Sequence, residues 1–176
     1  DLNENLNIPG KKSIALPLGE VKISRKVKSL TVIFRSCTKV NMLTQNKKRL
    51  FDKPKSEYTF RSLNSIISSL NYAKKLFPSV NFEIIVVDHD SVDADRSQIK
   101  KLLNNSNFEN LFISLDLNEF KNKIKDSNAK KEKTTFNQFS NMSNIYKSLL
   151  LAKEKSKDLT YFVEDDYLHL EDSISE

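Results

Sequence analysis

Cysteine is nearly absent: the 176 residues hold only Cys37. A lone thiol cannot form an intrachain disulfide, so a secreted disulfide scaffold is excluded and a reducing compartment is the expectation. Glycine is almost as scarce, with Gly10 and Gly19 the only two. Neither the GxGxxG turn of nicotinamide enzymes nor the glycine-rich P-loop of Walker-type ATPases can be built from them. No apolar run approaches the roughly 18–20 residues that a membrane span needs. The first residues, with Asp1, Asn3 and Glu4, are polar and acidic and lack the pattern of a signal peptide. Expected localisation is therefore cytoplasmic, or peripheral at a membrane.

What is present is the material of one domain with a real core. Hydrophobic residues make up 38% and charged residues 30%, polar for a globular chain but above the disordered class. The net charge of +6 comes from lysines scattered among Asn and Ser, without a basic block. That distribution reads as a solvated surface, with no stable nucleic-acid partner expected.

Both glycines and two of the four prolines (Pro9, Pro17) lie in residues 1–29. This stretch reads as a leader of turns and short extended pieces, with Val21-Lys22-Ile23 as a candidate strand. From residue 30 the pattern changes. Leu30-Thr31-Val32-Ile33-Phe34 has the unbroken apolar character of a buried parallel strand. Residues 39–57 read as irregular or a short helix. Leu63, Ile66, Ile67, Leu70, Ala73, Leu76 and Phe77 recur three and four apart, which predicts an amphipathic helix from Phe60 to Phe77, stopped by Pro78. Phe82–Val87 is the next strand and 94–104 the next helix. Leu111–Leu115 is a third strand. The lysine-rich stretch 116–137 is expected to be a partly helical insertion or a mobile loop. Met142, Ile145, Leu149, Leu150 and Ala152 mark a helix over 139–156. Leu159–Val163 then reads as a buried strand, and it ends in Glu164-Asp165-Asp166.

Strands alternating with helices predict an α/β fold, a Rossmann-like and mostly parallel sheet flanked by helices on both faces. Every parallel strand then ends on one edge. Three polar clusters from distant parts of the chain fall there: Arg35-Ser36, Asp88-His89-Asp90 and Glu164-Asp165-Asp166. Ligands of open α/β sheets bind at that edge. Clustered carboxylates repel one another, and a hard cation such as Mg²⁺ or Mn²⁺ relieves the repulsion. Each cluster also has a plainer reading. Asp88–Ser91 would serve as a helix-capping turn, and Arg35 as a surface arginine. His89 would be a polar turn residue, Cys37 an inert small residue, and Asn141 and Asn144 cap or surface residues.

With these residues in place, the chain resembles the nucleotide-binding half of a GT-A glycosyltransferase of the family-2-like kind, over roughly residues 30–170. Ile85-Val86-Val87-Asp88-His89-Asp90-Ser91 stands where that family has its VVDDGS turn. Asn144 lies in the helix that precedes the acidic strand, and Phe162-Val163-Glu164-Asp165-Asp166 stands at the DxD motif. The resemblance implies a nucleoside-diphosphate sugar donor of UDP or GDP type. Arg35, Ser36, Asp88, His89, Asp90, Asn144 and Asp165 would then contact the donor, with Asp166 and Glu164 on Mn²⁺ or Mg²⁺. A saccharide or lipid-linked acceptor is implied as well. His89 replaces the family's second Asp and Asp90 its Gly. The catalytic base and acceptor half normally follow DxD, and the chain ends ten positions after Asp166, so a fragment is expected and no catalytic residue is assigned. A second resemblance competes. Asp88-His89-Asp90-Ser91-Val92 after an apolar strand also fits the hhhhDxDxV pattern of haloacid-dehalogenase-type phosphatases, with Asp88 as nucleophile, Asp90 as acid, Ser114 on phosphate and Asp165-Asp166 on Mg²⁺. In that fold the nucleophile strand comes first, whereas a whole strand-helix unit precedes it here. A basic nucleic-acid-binding module is the third alternative.

Overall fold

A computed structural model describes residues 26–39, 53–125 and 133–176. The candidate strand Val21–Ile23 and most of the expected leader lie outside the described residues, as do 40–52 and 126–132. Among the described residues four strands form one open sheet, all parallel: β1 (Ser29–Ser36), β2 (Asn81–Asp88), β3 (Glu109–Ser114) and β4 (Leu159–Glu164), in the order β3-β2-β1-β4. The α/β expectation holds. The register aligns Ser36 with Asp88, Asp88 with Ser114, and Arg35 with Glu164, so the strands end level.

Period-two alternation of β1 and β2 builds two cores. Val32, Phe34, Ile84 and Val86 face one way, against Leu63, Ile66, Ile67 and Leu70 of α1 (Lys55–Leu76) and Ile99 and Leu103 of α2 (Asp93–Leu103). Ile33, Ile85 and Val87 face the other way, against Leu151 and Ala152 of α3 (Phe136–Lys155). Helices therefore cover both faces. Most of these side chains are wholly buried, and each contributes on the order of 1.5–3 kcal/mol relative to exposure.

Helix bounds differ from the periodicity where polar residues carry the ends. α1 begins five residues before Phe60, with Pro54 as its N-cap, because an apolar pattern cannot register Lys55-Ser56-Glu57. α3 begins at Phe136 behind a capping box: Thr135 accepts from the Gln138 backbone, and the Gln138 side chain accepts from the Thr135 N–H. In 116–125 a 3-10 turn, Leu117–Phe120, buries Phe120.

The acidic strand departs from expectation in burial. β4 is an edge strand, and Tyr161 and Phe162 are 39% and 44% exposed. After it the chain runs back along α1. The N–H groups of His169 and Ile174 donate to Ser65 Oγ and Ser69 Oγ, both at 3.1 Å.

Candidate functional site

At the carboxyl edge of the sheet a cleft of about 330 Å³ lies between the ends of β1, β2 and β4 and the amino half of α3. Of the residues expected there, Arg35, Ser36, His89, Asn144, Glu164 and Asp165 line it. Asp90 lies in an adjoining hollow of about 230 Å³ with Lys39 and Phe136, and His89 borders both spaces. Asp88 sits beneath the floor. Asp166 stands on the exposed turn beside the cleft and outside its lining. A hollow of similar size, about 320 Å³, opens at the opposite edge, where Glu83 and Glu109 share the lining with Lys74, Lys155 and Lys157. It gathers none of the candidate residues.

The two acidic clusters are knit into the scaffold. The Asp88 side chain has no exposed surface. Its Oδ1 accepts from Ser36 Oγ at 2.7 Å and Ser91 Oγ at 2.5 Å, and its Oδ2 from Arg96 Nε at 3.2 Å. These bonds lock the end of β1 to the turn after β2. Asp165 is similarly engaged. Oδ1 accepts from Lys55 Nζ at 2.5 Å, and Oδ2 from Thr59 Oγ1 at 2.8 Å and the Cys37 N–H at 3.1 Å. One carboxylate thus joins β4, the first turn of α1 and the loop after β1. Glu164 is ion-paired with Arg35, whose Nη1 also donates to Asn141 Oδ1 at 3.2 Å. The guanidinium is held across the cleft mouth from two sides.

The α3 wall is polar where a helix facing a sheet is ordinarily apolar. Asn137, Ser140, Asn141 and Asn144 project into the cleft three and four residues apart. Asn144 is buried, and its Nδ2 donates to the Val87 carbonyl at 3.1 Å, fixing α3 to the end of β2. The first turn of α3 carries no acid and is capped by the Thr135 and Gln138 side chains.

His89 is the exceptional group. It is 8% exposed, yet neither ring nitrogen has a hydrogen-bond partner. Its ring meets Phe136 edge-on at 6.1 Å. Burial lowers its pKa, against the opposing fields of Asp90 and Asp88, so the neutral imidazole is favoured. Unsatisfied buried nitrogens are costly, and both nitrogens are themselves shielded although other atoms of His89 line the two hollows. Asp90 has φ of 55°, the left-handed region that favours glycine. Its ion pair with Lys39, at 3.4 Å between two exposed groups, adds little. Cys37, expected to be inert, is half-buried. Burial, reinforced by the Asp165 charge, pushes its thiol from 9.0 up to about 11.

Among the described residues no three His, Cys, Asp or Glu side chains form a group able to hold a metal ion. Glu164 and Asp165 already have cationic partners. The Asp166 carboxylate is exposed and by itself offers too few ligands to hold a cation.

Lys55, Thr59, Arg96, Asn137 and Ser140 are parts of the site or its support that sequence reasoning missed. For α3 a signal existed: the three-and-four spacing of its polar residues. For Lys55 and Thr59 none did, because their partner is more than 100 residues away. Comparison with protein-family models, curated proteins and solved structures finds no match. No described helix is long and apolar enough to cross a membrane.

Proposed function

We propose that this domain binds a nucleoside-diphosphate sugar, of UDP or GDP type, as the donor-binding half of a GT-A-like glycosyltransferase. The observation that carries the reading is the convergence of three strand ends and the polar face of α3 on one cleft, with a buried, unpartnered imidazole in its lining. The nucleoside lies against His89 and the α3 carboxamides. A neutral imidazole offers one donor and one acceptor, which suits a base or ribose edge. Arg35 supplies a planar fork for phosphate, and Asn141 and Glu164 hold it in position. Asp88 and Asp165 act by shaping the walls; neither has a carboxylate free for the ligand.

Asp166, with Glu164 if Arg35 turns toward phosphate, would hold Mn²⁺ or Mg²⁺ together with the diphosphate oxygens. When bound, the cation supplies neutralisation of charge on the leaving diphosphate. An acceptor hydroxyl, saccharide or lipid-linked, would approach the bound donor from the open side of the cleft. No residue is assigned as the base for that hydroxyl.

The phosphatase alternative requires Asp88 to reach a phosphorus atom. With no exposed side-chain surface and three internal donors, that carboxylate is poorly placed to attack.

Thermal shift with Mn²⁺ and a panel of nucleoside diphosphates tests the reading. Stabilisation by UDP or GDP that requires the metal and is lost in Asp166→Ala is expected. Absence of any nucleotide shift would refute it. Phosphoester hydrolysis abolished by Asp88→Asn would favour the phosphatase, and salt-sensitive binding to single-stranded nucleic acid the third class.

A further inference from the structure

Helix α3 is amphipathic in the reverse sense. Its inward residues include Asn144 and Ser148, both buried, while Met142, Ile145, Tyr146, Leu149 and Leu150 are between 39% and 55% exposed. Those five are three, one, three and one residues apart, the spacing of a continuous helical stripe. Such a stripe normally faces a core. Here Tyr146 touches Phe120, Ile145 and Leu149 border Phe162 of β4, and all five stay between 39% and 55% exposed. Beside the stripe, Ile145 and Leu149 meet Phe162 of the β4 edge around an apolar groove of about 240 Å³.

The charge around this face is of one predominant sign. Of the α3 lysines, Lys147 pairs with Glu119 and Lys155 with Glu154 at 3.9 Å, Lys155 lying toward the opposite sheet edge, so Lys153 is the one that adds uncompensated charge here. Lys123 lies over the Phe120 and Tyr146 rings, at 5.4 and 5.9 Å from their centroids, and Lys121 and Lys125 flank it in sequence. Glu119, the nearest acid of the 3-10 turn, is tied up by Lys147 at 2.9 Å. An apolar helical stripe bordered by lysines complements a surface with an apolar interior and anionic headgroups.

We infer that this face of α3 docks on an anionic lipid bilayer, with Met142, Leu149 and Leu150 entering the acyl boundary and the lysines meeting the headgroups. The inference does not depend on what the cleft binds. If the cleft binds a sugar nucleotide, the docking explains how a lipid-linked acceptor meets it, because Arg35 and Glu164 line both the groove and the cleft.

Flotation with phosphatidylcholine vesicles containing about 30 mol% phosphatidylserine, against phosphatidylcholine alone, tests it. The protein should float with the mixed vesicles and bind the neutral ones at least about tenfold more weakly, since the lysine contribution is then lost. Met142→Glu with Leu149→Glu, both at exposed positions, should weaken binding about tenfold or more while the melting midpoint stays within a few degrees. Lys153→Ala should weaken it about fivefold and blunt its salt dependence, a reading that survives even if the double variant folds poorly. Absence of flotation, or equal binding by wild type and both variants, would overturn the inference. So would a dimer in light scattering that Leu149→Glu dissolves, with no lipid binding; the stripe would then be a contact between two copies.

Discussion

Replacing Asp165 with alanine removes three hydrogen bonds at once, from Lys55, Thr59 and the Cys37 amide. The pair is secluded: the Lys55 and Asp165 side chains are 11% and 12% exposed. Loss of one partner leaves an ammonium ion with little water and no counter-charge. Breaking a buried pair in this way costs about 3–5 kcal/mol. For a domain of this size that corresponds to a fall in Tm of roughly 6–20 °C. Asp165→Asn keeps the shape and loses the charge, so its cost should be intermediate. Lys55→Met combined with Asp165→Leu removes both charges and should be more stable than Asp165→Ala alone, since well-packed apolar replacements of an ion pair are often near neutral. Urea unfolding followed by circular dichroism, on Lys55→Met, Asp165→Leu and the pair, gives the coupling directly. A coupling above about 1 kcal/mol is expected for groups in contact. An Asp165→Ala loss below about 1 kcal/mol with unchanged m, or additive single variants, would refute the claim that this acid is a structural clasp.

Asp90→Gly relieves a left-handed backbone, and the lost Lys39 pair is exposed, so stability should change from nil to a gain of about 1 kcal/mol; a loss of that size in chemical denaturation would show that the Asp90 side chain matters more than its backbone. The Cys37 thiol, two pH units above its usual 9.0, should react with a disulfide reagent about 100-fold more slowly than in urea at pH 8, and Asp165→Ala should speed it. His89 has a folded pKa below its unfolded 6.5, so the unfolded state takes up its proton first. Its contribution is intact above pH 6.5 and is lost as pH falls from there through the folded value. Urea midpoints measured from pH 8 to 5 should decline less steeply in His89→Asn; identical slopes would deny the buried neutral imidazole.

The strands were legible because their chemistry is local. Five apolar residues ending in Phe34, or in Val87, admit little besides a buried strand, and strand-helix alternation then places all strand ends together. The candidate residues Ser36, His89 and Glu164 follow from that placement. What sequence could not convey is which acids are engaged. Asp165 and Asp166 are adjacent and chemically alike, yet one is fastened by Lys55 and Thr59 and the other is exposed, because only the first points back toward α1. His89 read as a turn residue since nothing local announces Phe136, 47 positions on, as its neighbour. The apolar residues of α3 announced a helix correctly, but periodicity is silent about which side of a helix meets the sheet. The T-x-x-Q box at Thr135 was readable and would have set the start of α3.

Strand order has a consequence for how the chain is made. β1 lies between β2 and β4, and Arg35 meets Glu164 across 129 positions. At ribosomal rates of about 5–20 residues per second, roughly 6–26 s separate the emergence of these two partners. Throughout that interval Val32, Ile33 and Phe34, destined for the middle of the sheet, present an open edge to the surroundings. The nascent sheet therefore stays open along that edge until β4 arrives, and the cleft, which Glu164 and Asp165 help to line, is incomplete beforehand.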